Sequence, residues 1–294
     1  MPNPVKKESV FQRLSPQWLM ALGFLFAILI GALLLTLPIS SASKQSLSPV
    51  AALFTATSAT CVTGLSVIDL GTQLSLFGQL VVLVLIQLGG LGITTYGTFL
   101  LVLVGRRLSV KNEFVLMSSY GVEEVNGLRS LLRWTMGLTF LIEGLGAALL
   151  WTRYLIHAPE LNMTPGTGTL IYYAVFHSIC AFCNAGFSLH SNSLIPFQND
   201  PVYLVVIDLL IVLGGLGFLV LYNLITTKFW RRNLKTRGRV TLHSRIVLVT
   251  TLFLVAAGTA AFLFQEWDNT LKDLSVINKI DCSLFQSITP RTAG

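Results

Sequence analysis

The amino-acid sequence predicts an all-α membrane protein made of parallel repeats, each consisting of a helix, a re-entrant short helix with a glycine loop, and a second helix. Composition is the first reason. Charged residues are 11% of the chain and apolar residues 53%, against roughly 25% and 45–50% in ordinary soluble domains. The second reason is that two glycine-containing patterns recur along the chain at matching positions.

Five apolar stretches are long enough to cross a bilayer, whose hydrocarbon core requires about 20 helical residues. The first lacks a small-residue cleavage site and is too long for a signal peptide. We therefore expect five crossings. The stretches are 19–37, 74–104, 135–155, 202–229 and 246–264.

Basic residues are concentrated in alternate connections. Fifteen of the 20 Lys and Arg residues lie in 1–13, 105–133 and 228–245, and the last of these holds seven basic residues and no acidic one. By the positive-inside bias these segments are cytoplasmic. The net charge of +7 is thus explained by topology, and we expect no nucleic-acid partner.

The repeats are visible as two pairs of matching segments. Leu88-Gly-Gly-Leu-Gly-Ile93 recurs 125 residues later as Leu213-Gly-Gly-Leu-Gly-Phe218. No strand pattern precedes either run, which excludes a nucleotide-binding loop and favours close packing of helices. The repeats define units at 1–104, 105–230 and 231–294.

A second pattern, a short apolar segment ending in glycine, occurs three times. The segments at about 48–60, 170–182 and 278–289 are too short to span a bilayer, so they must enter and return. Ser48-Pro49 predicts the start of a helix. Non-helical backbone at membrane depth is tolerated where it is buried in protein or lines a water-filled path. The copies end at Gly64, Gly186 and Gly294.

Main-chain carbonyl groups of these glycine loops are the candidate ion ligands. Rings of carbonyl oxygens replace the hydration shell of a cation in channel filters, and glycine lets them converge without a side chain in the way. The carboxyl end of each short helix adds a partial negative charge. The predicted ligands are Val62, Thr63, Gly64, Asn184, Ala185, Gly186, Thr292, Ala293 and Gly294.

These motifs make the chain resemble the Trk/Ktr/HKT superfamily of potassium transporters, most closely its bacterial KtrB-type membrane subunit. The carrying residues are Thr-Cys-Val-Thr-Gly64, Phe-Cys-Asn-Ala-Gly186 and Thr-Pro-Arg-Thr-Ala-Gly294. The resemblance implies four such units in pseudo-fourfold symmetry around one pore. It also implies potassium uptake across the bacterial inner membrane by a multi-pass homodimer on a KtrA-type ring of nucleotide-binding regulatory subunits, with no enzymatic activity.

The sequence ends at the third glycine, without the third inner helix or the fourth unit that the resemblance implies. We therefore expect it to be a fragment that does not conduct by itself. Sodium coupling stays open. So does a second reading, a secondary transporter whose broken helices bind substrate at the bilayer midplane, although parallel repeats favour the channel-like reading.

Four polar residues within or near apolar segments are further candidates. Glu143 and Asp208 are intramembrane acids and therefore functional hypotheses by default; we expect a structural partner for Glu143 and leave open whether Asp208 senses ions. His177 is expected to be hydrogen-bonded locally. Arg291 is expected to face away from the ion path, toward carboxylates or carbonyls. All four cysteines are read as small buried residues rather than metal or redox sites.

Overall fold

A computed structural model describes residues 16–92, 128–157, 166–227 and 240–292. In this part of the chain the regular structure is helical, apart from one isolated bridge between Ser41 and Leu74. The fold is therefore all-α, as predicted. The helices of nine or more residues are α1 Pro16–Thr36, α2 Pro49–Thr60, α3 Leu76–Leu91, α4 Leu128–His157, α5 Thr167–Phe182, α6 Pro201–Gly215, α7 Phe218–Thr226, α8 Leu242–Glu266 and α9 Val276–Thr292.

Two helices among the described residues are long and apolar enough to cross a membrane by themselves, Trp134–Ile156 and Leu242–Glu266. The pair α6 and α7 makes a third candidate if it is counted as one span. Large apolar side chains on these helices face outward, and Phe264 is 88% exposed. Such a surface requires an apolar solvent, which agrees with a membrane protein.

The predicted span over 202–229 is not one straight helix. The chain bends by 96° between α6 and α7. Gly217, at the bend, has φ +84°, a conformation that glycine adopts without a steric penalty. Gly92 at the end of α3 has φ +80°, so both Gly-Gly-x-Gly runs end a helix in the same way. The rest of the predicted span 74–104 lies outside the described residues.

Local sequence signals explain where the helices begin. The Ser48 hydroxyl accepts a hydrogen bond from the Ala51 amide at 3.2 Å and Pro49 is the first helical residue, which confirms the predicted start of α2. Asp200 caps α6 by accepting from the Tyr203 amide at 3.2 Å. The same carboxylate receives two hydrogen bonds from Arg153, at 2.7 and 3.0 Å. This ion pair, in which Asp200 is buried and Arg153 partly exposed, joins the end of α4 to the start of α6.

The helices pack in successive groups. α1, α2 and α3 contact one another, as do α4, α5 and α6, while α8 packs on α9. The first core lies around Val82 and Ile86 and the second around Tyr154 and Tyr203. Contacts of α3 with α5 and of α6 with α9 join the groups. Each second long helix therefore touches the short helix of the next group.

Candidate functional site

The first glycine loop leaves the carboxyl end of α2 through a Schellman motif. Val62 has φ +56°. The Val62 amide donates to the Ala59 carbonyl at 3.3 Å, and the Thr63 amide donates to the Ser58 carbonyl at 2.8 Å. This pairing closes helices whose next residue is left-handed. A β-branched valine in that conformation is strained, and such strain is concentrated at functional sites.

The second loop repeats the same geometry at the end of α5. Asn184 has φ +59° and Gly186 has φ +70°, matching Val62 and Gly64, which has φ +84°. The Asn184 amide donates to the Ala181 carbonyl at 3.1 Å and the Ala185 amide to the Cys180 carbonyl at 2.8 Å. Both loops thus start at the partially negative end of a short helix, which favours a nearby cation.

The third copy differs at the one candidate residue that is described. Thr292 lies in helix α9, whereas Val62 and Asn184 at the matching positions have left-handed backbone. Pro290 is inside this helix, and its ring fixes φ in the helical range. The sequence contributes to the difference, because Phe285 is one residue closer to its glycine than Phe54 or Phe176 is to theirs. Ala293 and Gly294 lie outside the described residues.

The glycine pairs of α3 and α6 fix the positions of the short helices. A side-chain carbon on Gly89 would collide with the Thr60 carbonyl oxygen, and one on Gly214 with that of Phe182. The second glycine of each pair meets the next unit: a carbon on Gly90 would lie 2.6 Å from Cys183 Cβ. Only glycine allows this approach, which confirms the predicted packing role of these runs.

Gly215 continues the pattern, because a carbon there would lie 3.2 Å from Arg291 Nη2 and 3.3 Å from Thr292 Cγ2. Each glycine pair is therefore placed between the short helix of its own unit and that of the following unit. The same relation holds from the first unit to the second and from the second to the third.

The first two glycine loops open into one cavity of about 570 Å³, which contains Gly64 and Gly186 in its lining. Asp69, Ser188 and His190 also line it. Asp69 lies in the segment that follows the first loop. Burial acts to raise its pKa, but hydrogen bonds from Ser191, Thr72 and Gly71 together lower the pKa below its usual value. The lining of the cavity therefore carries a negative charge at Asp69.

The Asn184 side chain joins the second loop to the helix break. With its amide oriented to satisfy both ends, the nitrogen donates to the Ile211 carbonyl at 3.0 Å and the oxygen accepts from the Gly215 amide at 3.1 Å. The same two groups are i, i+4 partners within α6, which stays helical through Gly215. The side chain therefore gives both groups a further partner in the last turn before the bend. The amide also lies 2.9 Å from Thr292 Oγ1.

Glu143 lies behind the second loop. Its side chain is 5% exposed, and its Oε1 accepts a hydrogen bond from Gln87 Nε2 at 3.0 Å. The Cys183 thiol is 3.8 Å from the same oxygen. The expected structural partner of Glu143 is thus confirmed as Gln87. The contacts of Glu143 connect α4, α3 and the end of α5.

His177 supports the second loop from the other side. Its Nδ1 lies 2.8 Å from the Tyr173 carbonyl, and its Nε2 accepts from the Leu189 amide at 3.3 Å. This confirms local hydrogen bonding. The Tyr154 hydroxyl forms a hydrogen bond of 2.8 Å with His190 Nε2. Burial lowers the pKa of His190 to about 4. His190 is therefore neutral at physiological pH.

Arg291 and the cysteines depart from expectation. Arg291 Nη1 donates to the Thr251 hydroxyl at 3.1 Å, so its described partner is a hydroxyl of α8 and not a carboxylate or carbonyl. Cys180 and Cys183 are buried as predicted, whereas Cys61 is exposed and Cys282 is half-buried. Within the described ranges no cluster of three His, Cys, Asp or Glu residues suits a metal ion.

Sequence reasoning missed the side chain of Asn184 and the strain at Val62. An available signal was asparagine directly after a helix, since asparagine tolerates the left-handed conformation that ends many helices. Valine carries no such signal. Its conformation follows from the packing of Thr60 and Val62 on Gly89.

Comparison with known proteins gives a consistent result. The family model of TrkH, described as a cation transport protein, matches residues 21–294. The chain is 36% identical to the Ktr system potassium uptake protein B of Bacillus subtilis, with 99% of this chain and 62% of that protein covered. It is 35% identical to the potassium/sodium uptake protein NtpJ of Enterococcus hirae, with 99% and 61% covered.

The Ktr system potassium uptake protein B of Vibrio alginolyticus is 38% identical, with 93% of this chain and 57% of that protein covered. The chain therefore spans about three-fifths of the length of these relatives. The family match extends over nearly all of the chain, including both described glycine loops and α9. The chain belongs to the TrkH family of cation transport proteins.

Proposed function

We propose that this protein takes up potassium across the bacterial inner membrane through a filter of main-chain carbonyls supplied by the glycine loops. The observation that carries the proposal is the matching backbone of the first two loops, which open into the same cavity at Gly64 and Gly186. Two short helices direct their carboxyl ends toward these loops. Such an arrangement stabilises a dehydrated cation.

The units 1–104, 105–230 and 231–294 are proposed to be parallel repeats in pseudo-fourfold symmetry around the pore. Support comes from the glycine pairs, which relate each unit to the next in the same way. The proposed ligands are the main-chain oxygens of Val62 to Gly64, Asn184 to Gly186 and Thr292 to Gly294. Because Thr292 has helical backbone, the binding of an ion by its main-chain oxygen requires a separate test.

A second candidate function is a secondary transporter with a broken-helix substrate site. The 96° bend between α6 and α7 favours it, because discontinuous helices form substrate sites in such proteins. Sodium coupling belongs to this question, and a relative is a potassium/sodium uptake protein. The bend nonetheless coincides with Gly217 and its positive φ, and the glycine loops remain unexplained by this alternative.

Partners are proposed from the relatives that carry the name of a Ktr system. We infer a homodimer of membrane subunits on a KtrA-type ring of cytoplasmic regulatory subunits. The basic connection 228–245 is the candidate surface for that ring or for anionic membrane lipid.

The substitution Gly64→Ser tests the filter. Gly64 has φ +84°, where a side chain is strained, so serine should distort the loop and change ion choice before it affects folding. Perturbing one of about four loops should shift the potassium-over-sodium preference by roughly 1–2 kcal/mol, the size of one good polar contact. Since about 1.4 kcal/mol is a tenfold ratio, competitive uptake of the two ions at matched membrane abundance measures it.

The matched control is Gly144→Ser, because an added carbon at Gly144 meets nothing within 4 Å. Gly90 is unsuitable as a control, since a side chain there would press on Cys183 next to the second loop. Gly144→Ser should leave both uptake and the ion ratio unchanged. An unaltered ratio in Gly64→Ser, with uptake retained, would place the filter elsewhere.

A further inference from the structure

Asp69 and Ser191 occupy matching positions in the first two units. Asp69 follows Gly64 by five residues, and Ser191 follows Gly186 by five. Both residues line the cavity into which the two glycine loops open. Asp69 is partly exposed and Ser191 is exposed. The same position after each loop therefore contributes to the cavity, but the first unit supplies a carboxylate there and the second a hydroxyl.

The segment that carries Asp69 is held against the second unit. A side-chain carbon on Gly71 would overlap the carbonyl oxygen of Leu189, so the backbones that follow the two loops are in close contact. The lining of the cavity includes both Gly64 and Gly186 together with Asp69. Asp69 therefore lies where the two units meet, beside both loops.

Local structure explains why residue 69 is polar but not why it is charged. Asp69 caps the helical turn Leu70–Gln73. Its Oδ1 accepts hydrogen bonds from the amides of Gly71 at 2.9 Å and Thr72 at 3.3 Å. Asparagine and serine cap helices about as well as aspartate does. Within the described ranges Asp69 forms no salt bridge, so its charge is not neutralised by a described basic side chain.

Asp69 is the single ionised side chain among the described residues that line the cavity. Although partial burial opposes it, hydrogen bonds to the carboxylate keep the pKa of Asp69 below its usual value. The other titratable side chain of the lining, His190, is neutral at physiological pH. A concave surface of one sign concentrates ions of the opposite sign and speeds their arrival. A cation that approaches the loops through this cavity thus enters a region of negative potential.

We propose that Asp69 captures hydrated potassium ions in the cavity and thereby sets the apparent affinity for potassium, without taking part in ion choice. The inference rests on the proposed uptake through the glycine loops. A carboxylate acting through water attracts all monovalent cations alike, because the Coulomb energy depends on charge and distance. Loss of the hydration shell, and with it discrimination, belongs to the loop carbonyls. The KM for potassium should therefore depend on Asp69, whereas the maximum rate and the potassium-over-sodium ratio should not.

Two substitutions separate the charge of Asp69 from its capping role. Asp69→Asn keeps a good cap and removes the charge, whereas Asp69→Glu keeps the charge but is not a preferred cap. Potassium uptake is measured in proteoliposomes that contain the complete transporter, with sodium held constant and choline chloride setting the ionic strength. At about 0.01 M, where the Debye length is about 30 Å, Asp69→Asn should raise the KM by about three- to tenfold. At about 1 M, where this length is about 3 Å, the difference should nearly vanish. Asp69→Glu should keep the wild-type KM.

Ser191 allows the charge to be moved to the matching position of the second unit. Combining Asp69→Asn with Ser191→Asp should restore a KM close to that of the wild type. Ser191→Asp alone should lower the KM at low ionic strength, and this variant leaves Asp69 in place in case the Asp69 variants fold poorly. The matched control is Asp268→Asn, at an exposed aspartate outside the cavity lining, which should leave the KM unchanged.

The outcomes distinguish this proposal from that of the filter. A wild-type KM in both Asp69→Asn and Ser191→Asp would overturn the capture role. So would an increase in Asp69→Asn that is equally large at both ionic strengths, an equal increase in Asp69→Glu, or a changed potassium-over-sodium ratio in Asp69→Asn. Failure of the filter is recognised separately, by an unaltered ion ratio in Gly64→Ser.

Discussion

Removal of the Asn184 side chain tests how the second glycine loop is coupled to the helix break. Asn184→Gly deletes the amide but keeps a residue that adopts the observed φ of +59° without strain. Asn184→Ala deletes the same amide and adds a steric penalty in that conformation. Comparing the two variants therefore separates the role of the amide from that of the backbone.

The expected magnitudes follow from the contacts. The amide forms three hydrogen bonds, to Ile211, Gly215 and Thr292, each contributing about 0.5–1.5 kcal/mol. Because the Ile211 carbonyl and the Gly215 amide are also i, i+4 partners within α6, they are not left unpaired when the amide is removed, and we expect a net loss of about 2 kcal/mol in Asn184→Gly. Asn184→Ala should be less stable by a further ~1 kcal/mol.

The assays are the thermal unfolding midpoint in detergent and competitive potassium and sodium uptake at matched membrane abundance. Both variants should lower the midpoint, Asn184→Ala more, and both should reduce ion discrimination because the loop is no longer held by α6. Asn192→Ala, at an exposed loop residue, is the control. A wild-type midpoint in Asn184→Gly would refute the bridge, and equal midpoints in the two variants would refute the left-handed backbone.

Three further changes probe the surroundings of the loops. His190 has a pKa lowered to about 4 by burial, so its contribution to stability is present above about pH 6.5 and is lost as the pH falls toward 4. In His190→Gln the unfolding midpoint should therefore fall less between pH 6.5 and 4 than it does in the wild type. The same pH dependence in both proteins would contradict the burial argument. Glu143→Leu leaves Gln87 Nε2 without its acceptor and should lower the free energy of unfolding by about 1–3 kcal/mol. Glu143→Gln keeps an acceptor oxygen and should lower it less. Equal losses of stability in the two variants would count against this hydrogen bond. Charge reversal in the basic connection, outside the described residues, should weaken co-purification of a regulatory subunit in a salt-dependent way, and unchanged co-purification would remove that connection from the interface. The positions for this last change are Arg231, Arg232 and Arg237.

The sequence determined the helical membrane architecture, the short helices and the positions of the glycine loops. Composition indicates that the protein lies in a membrane, because so few charged groups cannot cover a water-exposed surface. Repetition located the loops, since glycine at Gly64 and Gly186 marks positive φ values that other residues rarely adopt. The start of α2 could be predicted because a serine cap and a following proline act locally.

Only the tertiary structure decided the features that depend on residues far apart in the chain. The contact of the Asn184 amide with the last turn of α6, directly before the bend, joins residues that lie 31 positions apart in the sequence. The left-handed backbone of Val62 is opposed by local preference and is stabilised by packing on Gly89. The burial of Asp208 and of Asp281 likewise depends on the packing of helices that are distant in the sequence. Burial, unlike helix formation, is not a property of neighbouring residues, and a single sequence does not reveal it.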